Sequence, residues 1–242
     1  MRKIEKRAEP PELTQWRAAH QVDPGGRGIN YGYDALRQSS AVADQLLESL
    51  LAEQGGLCAY TGRRIDRASA HVEHLRPQTP WRAHRGLDVT YSNMVACWPK
   101  PNGPRGQYGA HPKEDWPTPG EEALFVSPLS DRCETRFVFN QRGEIKSADA
   151  TDRAAVATIK RLKLDHKLLT ALRGREIESV LGTTRRLALK EARKRLRTIE
   201  DSEAALDGGA NVLLDPYCFA LKQSLRRFIK AGERIQKYGK PN

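Results

Sequence analysis

The chain has 242 residues, with 41 Lys and Arg against 30 Asp and Glu, a formal charge of +11 and a pI near 9.7. That balance favours a polyanionic partner, nucleic acid first. No apolar run approaches the roughly 20 residues of a membrane span, and the basic start Met1-Arg2-Lys3-Ile4-Glu5-Lys6-Arg7 lacks the apolar core of a signal peptide, so a cytoplasmic protein with no membrane association is expected. Four cysteines, Cys58, Cys97, Cys133 and Cys218, are too few and too scattered for a disulfide scaffold.

Pro10-Pro11-Glu12-Leu13 leading into Trp16 predicts a short first helix, ended by the loop Pro24-Gly25-Gly26-Arg27-Gly28. From Asp34 to Gln54, Leu36, Val42, Leu46, Leu47, Leu50 and Leu51 recur near helical spacing. One amphipathic helix is expected there, stopped by Gly55-Gly56. Leu57 to Tyr60, Arg63 to Ile65 and Ala70 to Leu75 read as short antiparallel strands, broken at Thr61-Gly62 and at a polar bend over Asp66 to Ser69. Thr79 to Thr90 reads as a loop, and Tyr91 to Trp98 as a helix starting at Ser92 or Asn93. Six prolines between residues 99 and 120 exclude a regular element over that stretch. Ala123 to Val126 and Arg136 to Phe139 read as strands, the second turning at Asn140-Gln141-Arg142-Gly143 into a hairpin.

Three helices follow between Asp149 and about Ile199, then a break over Ala204 to Asn211 and a last helix from Pro216 to about Ile229. The third of these helices crowds Arg185, Arg186, Lys190, Arg193, Lys194, Arg195 and Arg197 together with only Glu191 opposing them. Such a face tracks phosphates, meets an acidic protein, or is simply solvated. The fold class expected is α+β, mainly helical, in three segments: a helical 1–56, the strands and hairpin of 57–147, and a helical 148–242.

The chemistry concentrates in His71-Val72-Glu73-His74-Leu75-Arg76-Pro77. Phosphodiester hydrolysis needs a water deprotonated near neutral pH and a cation to offset charge on the phosphate and leaving oxygen. His74 suits the first task, since an imidazole with a pKa near 6.5 is largely neutral at pH 7. Glu73 suits the second, as an oxygen ligand for Mg²⁺ or Mn²⁺. Neighbouring residues of a regular strand point to opposite faces, so both reach one phosphate only if the strand bends or ends there, as Pro77 suggests. His71 shares a face with Glu73; a supporting partner to that carboxylate is one reading, and a packing or surface role is the simpler one. Arg76 and Lys113 are candidate phosphate contacts.

With Cys58-Ala59-Tyr60, Tyr91-Ser92-Asn93-Met94, Cys97 and His111-Pro112-Lys113-Glu114-Asp115, this stretch resembles the HNH nuclease family, whose ββα core folds around one divalent cation. The order of these blocks, followed by Leu124-Phe125-Val126-Ser127-Pro128 and the Phe137 to Ile145 hairpin, looks like the HNH subunit of Septu-type antiphage defence, also found beside retrons. The resemblance implies metal binding by Glu73, a general base in His74 and a bracing role for Asn93. The remaining metal ligand is His111, which precedes Lys113, or Asn102, nine residues after Asn93; His111 is favoured. It implies a nucleic-acid substrate, DNA before structured RNA. It also implies an ABC-type ATPase partner, and in a retron setting a reverse transcriptase with its RNA–DNA product; this chain has no Gly-x-x-x-x-Gly-Lys-Ser/Thr loop of its own, so any nucleotide dependence is expected from a partner. Many HNH proteins carry two Cys-x-x-Cys knuckles; here Thr61 and Lys100 stand at the second positions, so no structural zinc is expected. The alternative reading is a non-catalytic nucleic-acid-binding or adaptor subunit.

Overall fold

The computed structural model describes residues 1–20, 31–100, 105–182 and 187–238. Helix α1 (Pro11–Ala19) carries Pro11 in its first turn, where a missing N–H is tolerated, and buries Leu13 and Trp16. The helix expected over Asp34 to Gln54 divides at Ser39 into α2 (Tyr33–Gln38) and α3 (Ser40–Glu53). The Ser39 hydroxyl accepts a hydrogen bond from Trp16 Nε1 at 3.1 Å, so the interruption is tied to α1. Gly55 and Gly56 then end α3 at φ +60° and +68°, a conformation glycine adopts without strain.

The last side chain of α3 and the one that caps it set the centre of the molecule. Glu53, with a fully buried side chain, accepts from Lys6 Nζ, Arg7 N and Tyr91 Oη. Gln54 donates to the Leu57 and Ala96 carbonyls and accepts from Ala96 N. Strand β1 (His71–His74) is thereby placed against β2 (Met94–Cys97) in an antiparallel pair, with His71 opposite Cys97 and His74 opposite Met94. This corrects two expectations. Leu57 and Arg64 make only a single bridge, and the partner of β1 comes about 20 residues later, where a helix was expected from Asn93. Met94-Val95-Ala96-Cys97 is buried at every position, as a strand covered on both faces must be.

Between the strands lie α4 (Gln78–Trp81) and two 3₁₀ turns, Leu87–Val89 and Tyr91–Asn93; after β2 comes the short α5 (Ala110–Lys113). The strand expected over Ala123 to Val126 is instead a 3₁₀ turn, Glu122–Leu124, and Val126, two residues beyond it, donates its N–H to Thr158 Oγ1 rather than to a neighbouring strand. The expected hairpin is present as β3 (Phe137–Phe139) and β4 (Ile145–Ser147). Helices α6 (Arg153–Arg161), α7 (Lys167–Leu181), α8 (Leu189–Asp207) and α9 (Cys218–Tyr238) follow; α8 runs into the expected break, and α9 continues past Ile229. The chain is thus mostly helical with small antiparallel sheets, and one hydrophobic cluster takes in residues from Met1 to Ile229. Among the described residues no helix is long and apolar enough to cross a membrane.

The hairpin is locked to α7 backbone to backbone. Arg173, 1% exposed, donates through Nε to the Gly143 carbonyl and through Nη2 to the Leu164 carbonyl, both at 2.8 Å. Gly143 sits at φ +80°, and a Cβ there would lie 2.3 Å from the Thr170 carbonyl oxygen; a Cβ on Gly174 would lie 2.7 Å from that of Arg142. Gly→Ala inside an open helix stabilises by about 1 kcal/mol. Gly174→Ala is expected to reverse that sign, and Gly143→Ala to lower stability by roughly 2 kcal/mol or more. Urea midpoints measure both, and a stabilised Gly174→Ala would contradict the contact.

Asp152 caps α6 by accepting from Ala155 N at 3.0 Å and pairs with Arg136. Its pKa is held below the usual 3.8, first by the Arg136 hydrogen bond and against some burial. A depressed carboxylate stabilises above the unfolded pKa and loses that contribution as pH falls through the folded one. Asp152→Asn, which keeps a capping side chain, should therefore be less stable than the parent near neutral pH and converge with it in acid below 3.8. Urea titrations at several pH values test this, and a gap that does not change with pH would refute it.

Candidate active site

Strand β1 ends at His74, and the backbone beyond it is taken up by Leu75 N donating to Asn93 O at 2.9 Å. This early end lets two adjacent side chains reach one space: Glu73 and His74 both line a cleft of about 240 Å³, together with the exposed Asp34, Arg37, Glu114 and Asp115.

His74 is 8% exposed. Its Nε2 lies 2.7 Å from the Asp88 carbonyl oxygen, which can only accept, so Nε2 carries the proton and Nδ1 keeps the lone pair. Among the described residues no protein group bonds Nδ1. The ring meets Tyr33 edge-on, with centroids 4.6 Å apart. Burial pushes the His74 pKa below 6.5, against the opposing effect of the Asp88 carbonyl. Asp88 is itself fixed, because Oδ2 accepts from Tyr33 N at the start of α2.

Asn93, 4% exposed, closes the loop between the strands. Its Oδ1 accepts from Arg76 N at 2.9 Å, and Nδ2 donates to the carbonyls of Arg76 at 3.1 Å and Leu87 at 3.0 Å. The residue expected to start a helix thus holds the two ends of the histidine loop together.

Glu73 faces an ammonium and an imidazole. Lys113 Nζ lies 2.8 Å from Oε1, and His71 Nε2 lies 3.4 Å from Oε2. Burial opposes ionisation, but Lys113 and His71 outweigh it and bring the carboxyl down to about 2. Burial likewise lowers the His71 pKa, and the hydrogen bond and charge of Glu73 raise it to a net increase. Lys113 differs from the phosphate contact expected of it. Its side chain is fully buried, and Nζ also donates to the His74 carbonyl at 2.8 Å, so it ties the two adjacent residues together from inside.

His111 lies on α5, half-buried, its Nδ1 accepting from Gly106 N at 2.8 Å and its ring 6.1 Å from that of His71. Burial, followed by the charges of His71 and Arg105, lowers its pKa. Arg76 is half-exposed, ion-paired to Glu122 and set over the Trp81 ring. Asn102 lies outside the described residues. Among them, no group of three His, Cys, Asp or Glu side chains is arranged to hold a metal ion.

Among the described residues the buried His71 Nδ1 and Tyr60 Oη make no hydrogen bond, and burial, followed by the charge of Glu73, pushes the Tyr60 pKa up. Sequence reasoning set His71 aside and passed over Tyr60, Tyr33 and Asp88. The two-residue spacing of His71 and Glu73 on one strand is the readable sign for the first, whereas Tyr33 at the start of α2, Asp88 in a 3₁₀ turn and Tyr60 in a turn come from separate parts of the chain with no shared pattern. Cys58 and Cys97 are free and buried, with Trp98 N donating to Cys58 Sγ at 3.4 Å. Burial raises the Cys58 pKa, but the bonds from Cys97 and Thr61 outweigh it and bring it down to about 6. Thr61 thus serves the sulfur at the position where a second knuckle cysteine would stand.

No family model matches the chain. It is similar to a protein of Vibrio cholerae serotype O1 biovar El Tor named "Retron Vc95 putative HNH endonuclease", with 26% identity over 132 residues, which covers 53% of this chain and 61% of that protein. The match therefore spans less than two thirds of the relative's own length.

Proposed function

We propose that the chain is a divalent-metal-dependent HNH endonuclease that hydrolyses phosphodiester bonds, with DNA as substrate ahead of structured RNA such as tRNA. The observation that carries this reading is one cleft wall shared by a neutral imidazole with a free Nδ1 and an ionised carboxylate, joined behind by a buried lysine. The similarity to a protein named as a retron HNH endonuclease supports it.

Mg²⁺ and Mn²⁺ keep several waters and take few protein ligands; Glu73 lies beside His71, and His71 beside His111, while Lys113 and His71 hold the two Glu73 oxygens, so an ion bound here would displace one of those contacts. Glu73 and His111 would hold the ion, with His71 beside them, and the ion would supply charge to the phosphate and leaving oxygen. His74 Nδ1 accepts the proton of the attacking water. Its Nε2–H stays on the Asp88 carbonyl, which fixes the tautomer beforehand and continues to accept once the ring is charged. Burial keeps the ring neutral, and so able to accept a proton, near pH 7. Asn93 keeps the loop that carries Asp88 from spreading. In keeping with the Septu-like resemblance, we assign the chain to an antiphage complex as its effector, controlled by an ABC-type ATPase and, in a retron setting, assembled with a reverse transcriptase and its RNA–DNA product.

One feature favours the adaptor reading: Lys113 Nζ bonds Glu73 Oε1, an oxygen that a metal ion would need. The two are separated by plasmid and tRNA cleavage with Mg²⁺ or Mn²⁺. His74→Ala is expected to lower the rate by about 10²–10⁴ while leaving the circular dichroism spectrum unchanged. Wild-type protein that binds but never cuts, alone or with its partner, would assign the adaptor role.

The buried lysine gives a separate test. Removing one member of a buried pair costs about 3–5 kcal/mol because the other is left uncompensated. Lys113→Ala should therefore lower the unfolding midpoint strongly. The salt dependence of nucleic-acid binding should stay as it is; a shallower salt slope with unchanged stability would return Lys113 to the phosphate-contact role.

A further inference from the structure

The densest positive charge of the described chain lies outside the cleft. On α8, Lys190, Arg193, Lys194 and Arg197 are exposed and follow the i, i+3, i+4, i+7 spacing of one helix face. With Thr198 and Asp201 they line a concavity of about 360 Å³. Three neighbouring acids are engaged, Glu233 with Arg193, Asp215 with Arg195 and Glu200 with Arg226, and Asp201 is the one acid that lines the concavity against its four cations. Lys190, Lys194 and Arg197 have no ion-pair partner among the described residues, so three cations stand along about 10 Å of helix. That length matches about three phosphates of one strand, spaced 3.4 Å apart along the duplex axis.

The surroundings decide what such a face takes. Among the described residues the large exposed apolar side chains are Val138, Val156, Leu168, Leu213, Ile235 and Tyr238, and none of them lines this concavity. A protein interface is centred on apolar or aromatic anchors, whereas a polyanion needs only charge. The cleft cannot supply that charge, because Asp34, Glu73, Glu114 and Asp115 line it against Arg37 alone. We propose that this face of α8 is a phosphate-tracking surface for duplex nucleic acid, a second contact that holds the substrate without reading its bases. Only the identity of the duplex as substrate rests on the nuclease reading.

The test uses the full chain carrying His74→Ala, so that nothing is cut, and a fluorescein-labelled 30-base-pair duplex titrated by anisotropy across a range of KCl concentrations. Lys190→Glu, Lys194→Glu and Arg197→Glu together should weaken binding tenfold or more at 100 mM salt and reduce the slope of log K against log salt by about 2 to 3, near 0.9 per lost phosphate contact. The corresponding triple glutamine variant guards against simple repulsion and should move both quantities in the same direction by less. Affinity and slope unchanged in both variants, each folded by circular dichroism, would overturn the proposal. So would an unchanged duplex titration accompanied by lost binding to poly-L-glutamate, run as a second probe, since that would assign the face to an acidic protein. Wild-type protein that fails to cut while the slope depends on α8 removes the nuclease reading alone; cutting that persists with an unchanged slope removes this proposal alone.

Discussion

The ammonium of Lys113 is the constraint on which the candidate site depends. It has no exposure to water, and it bonds the Glu73 carboxylate on one side and the His74 carbonyl on the other. A buried charge is tolerated only when it is paired and hydrogen-bonded. The short helix α5 therefore has to dock against the end of β1, and with it come His111 and the residues lining the cleft. The same contact keeps the carboxylate ionised at any physiological pH.

A second constraint acts from the loop side. His74 can present a free Nδ1 only while Nε2 stays on the Asp88 carbonyl, and that carbonyl belongs to a loop whose ends are joined by one amide, Asn93. Asp88 also anchors the start of α2, and Tyr91, two residues before Asn93, is bonded to Glu53 at the end of α3. The imidazole's tautomer is thus set by backbone geometry assembled from the N-terminal helices.

Much of this was legible in the sequence, for a physical reason: adjacency and period are local properties. The Glu73–His74 pair, the stop at Gly55-Gly56, the Phe137 to Ile145 hairpin and the C-terminal helices all announce themselves within a few residues. What was misread depends on partners far along the chain. Met94 to Cys97 is a short apolar run preceded by Ser and Asn, which fits a capped helix as well as a buried strand; burial against α3 and β1 decides the matter. Lys113 looked like a surface cation because its partner lies 40 residues earlier in the chain. Ser39 breaks a regular apolar period because of a tryptophan on another helix. The metal-ligand assignment was open between two residues, one of which, Asn102, lies outside the described chain.

Gln54 carries a consequence for how so small a sheet survives. A two-stranded sheet has two open edges, each a row of unpaired backbone groups that can template another chain. The side-chain amide of Gln54 donates to the carbonyl and accepts from the N–H of Ala96, the same pair of bonds that a neighbouring strand would make, and Ala59 N–H adds another to that carbonyl. One glutamine at the end of a helix therefore does the work of a third strand, and the sheet beneath the candidate site is finished on that side without offering an edge for self-association.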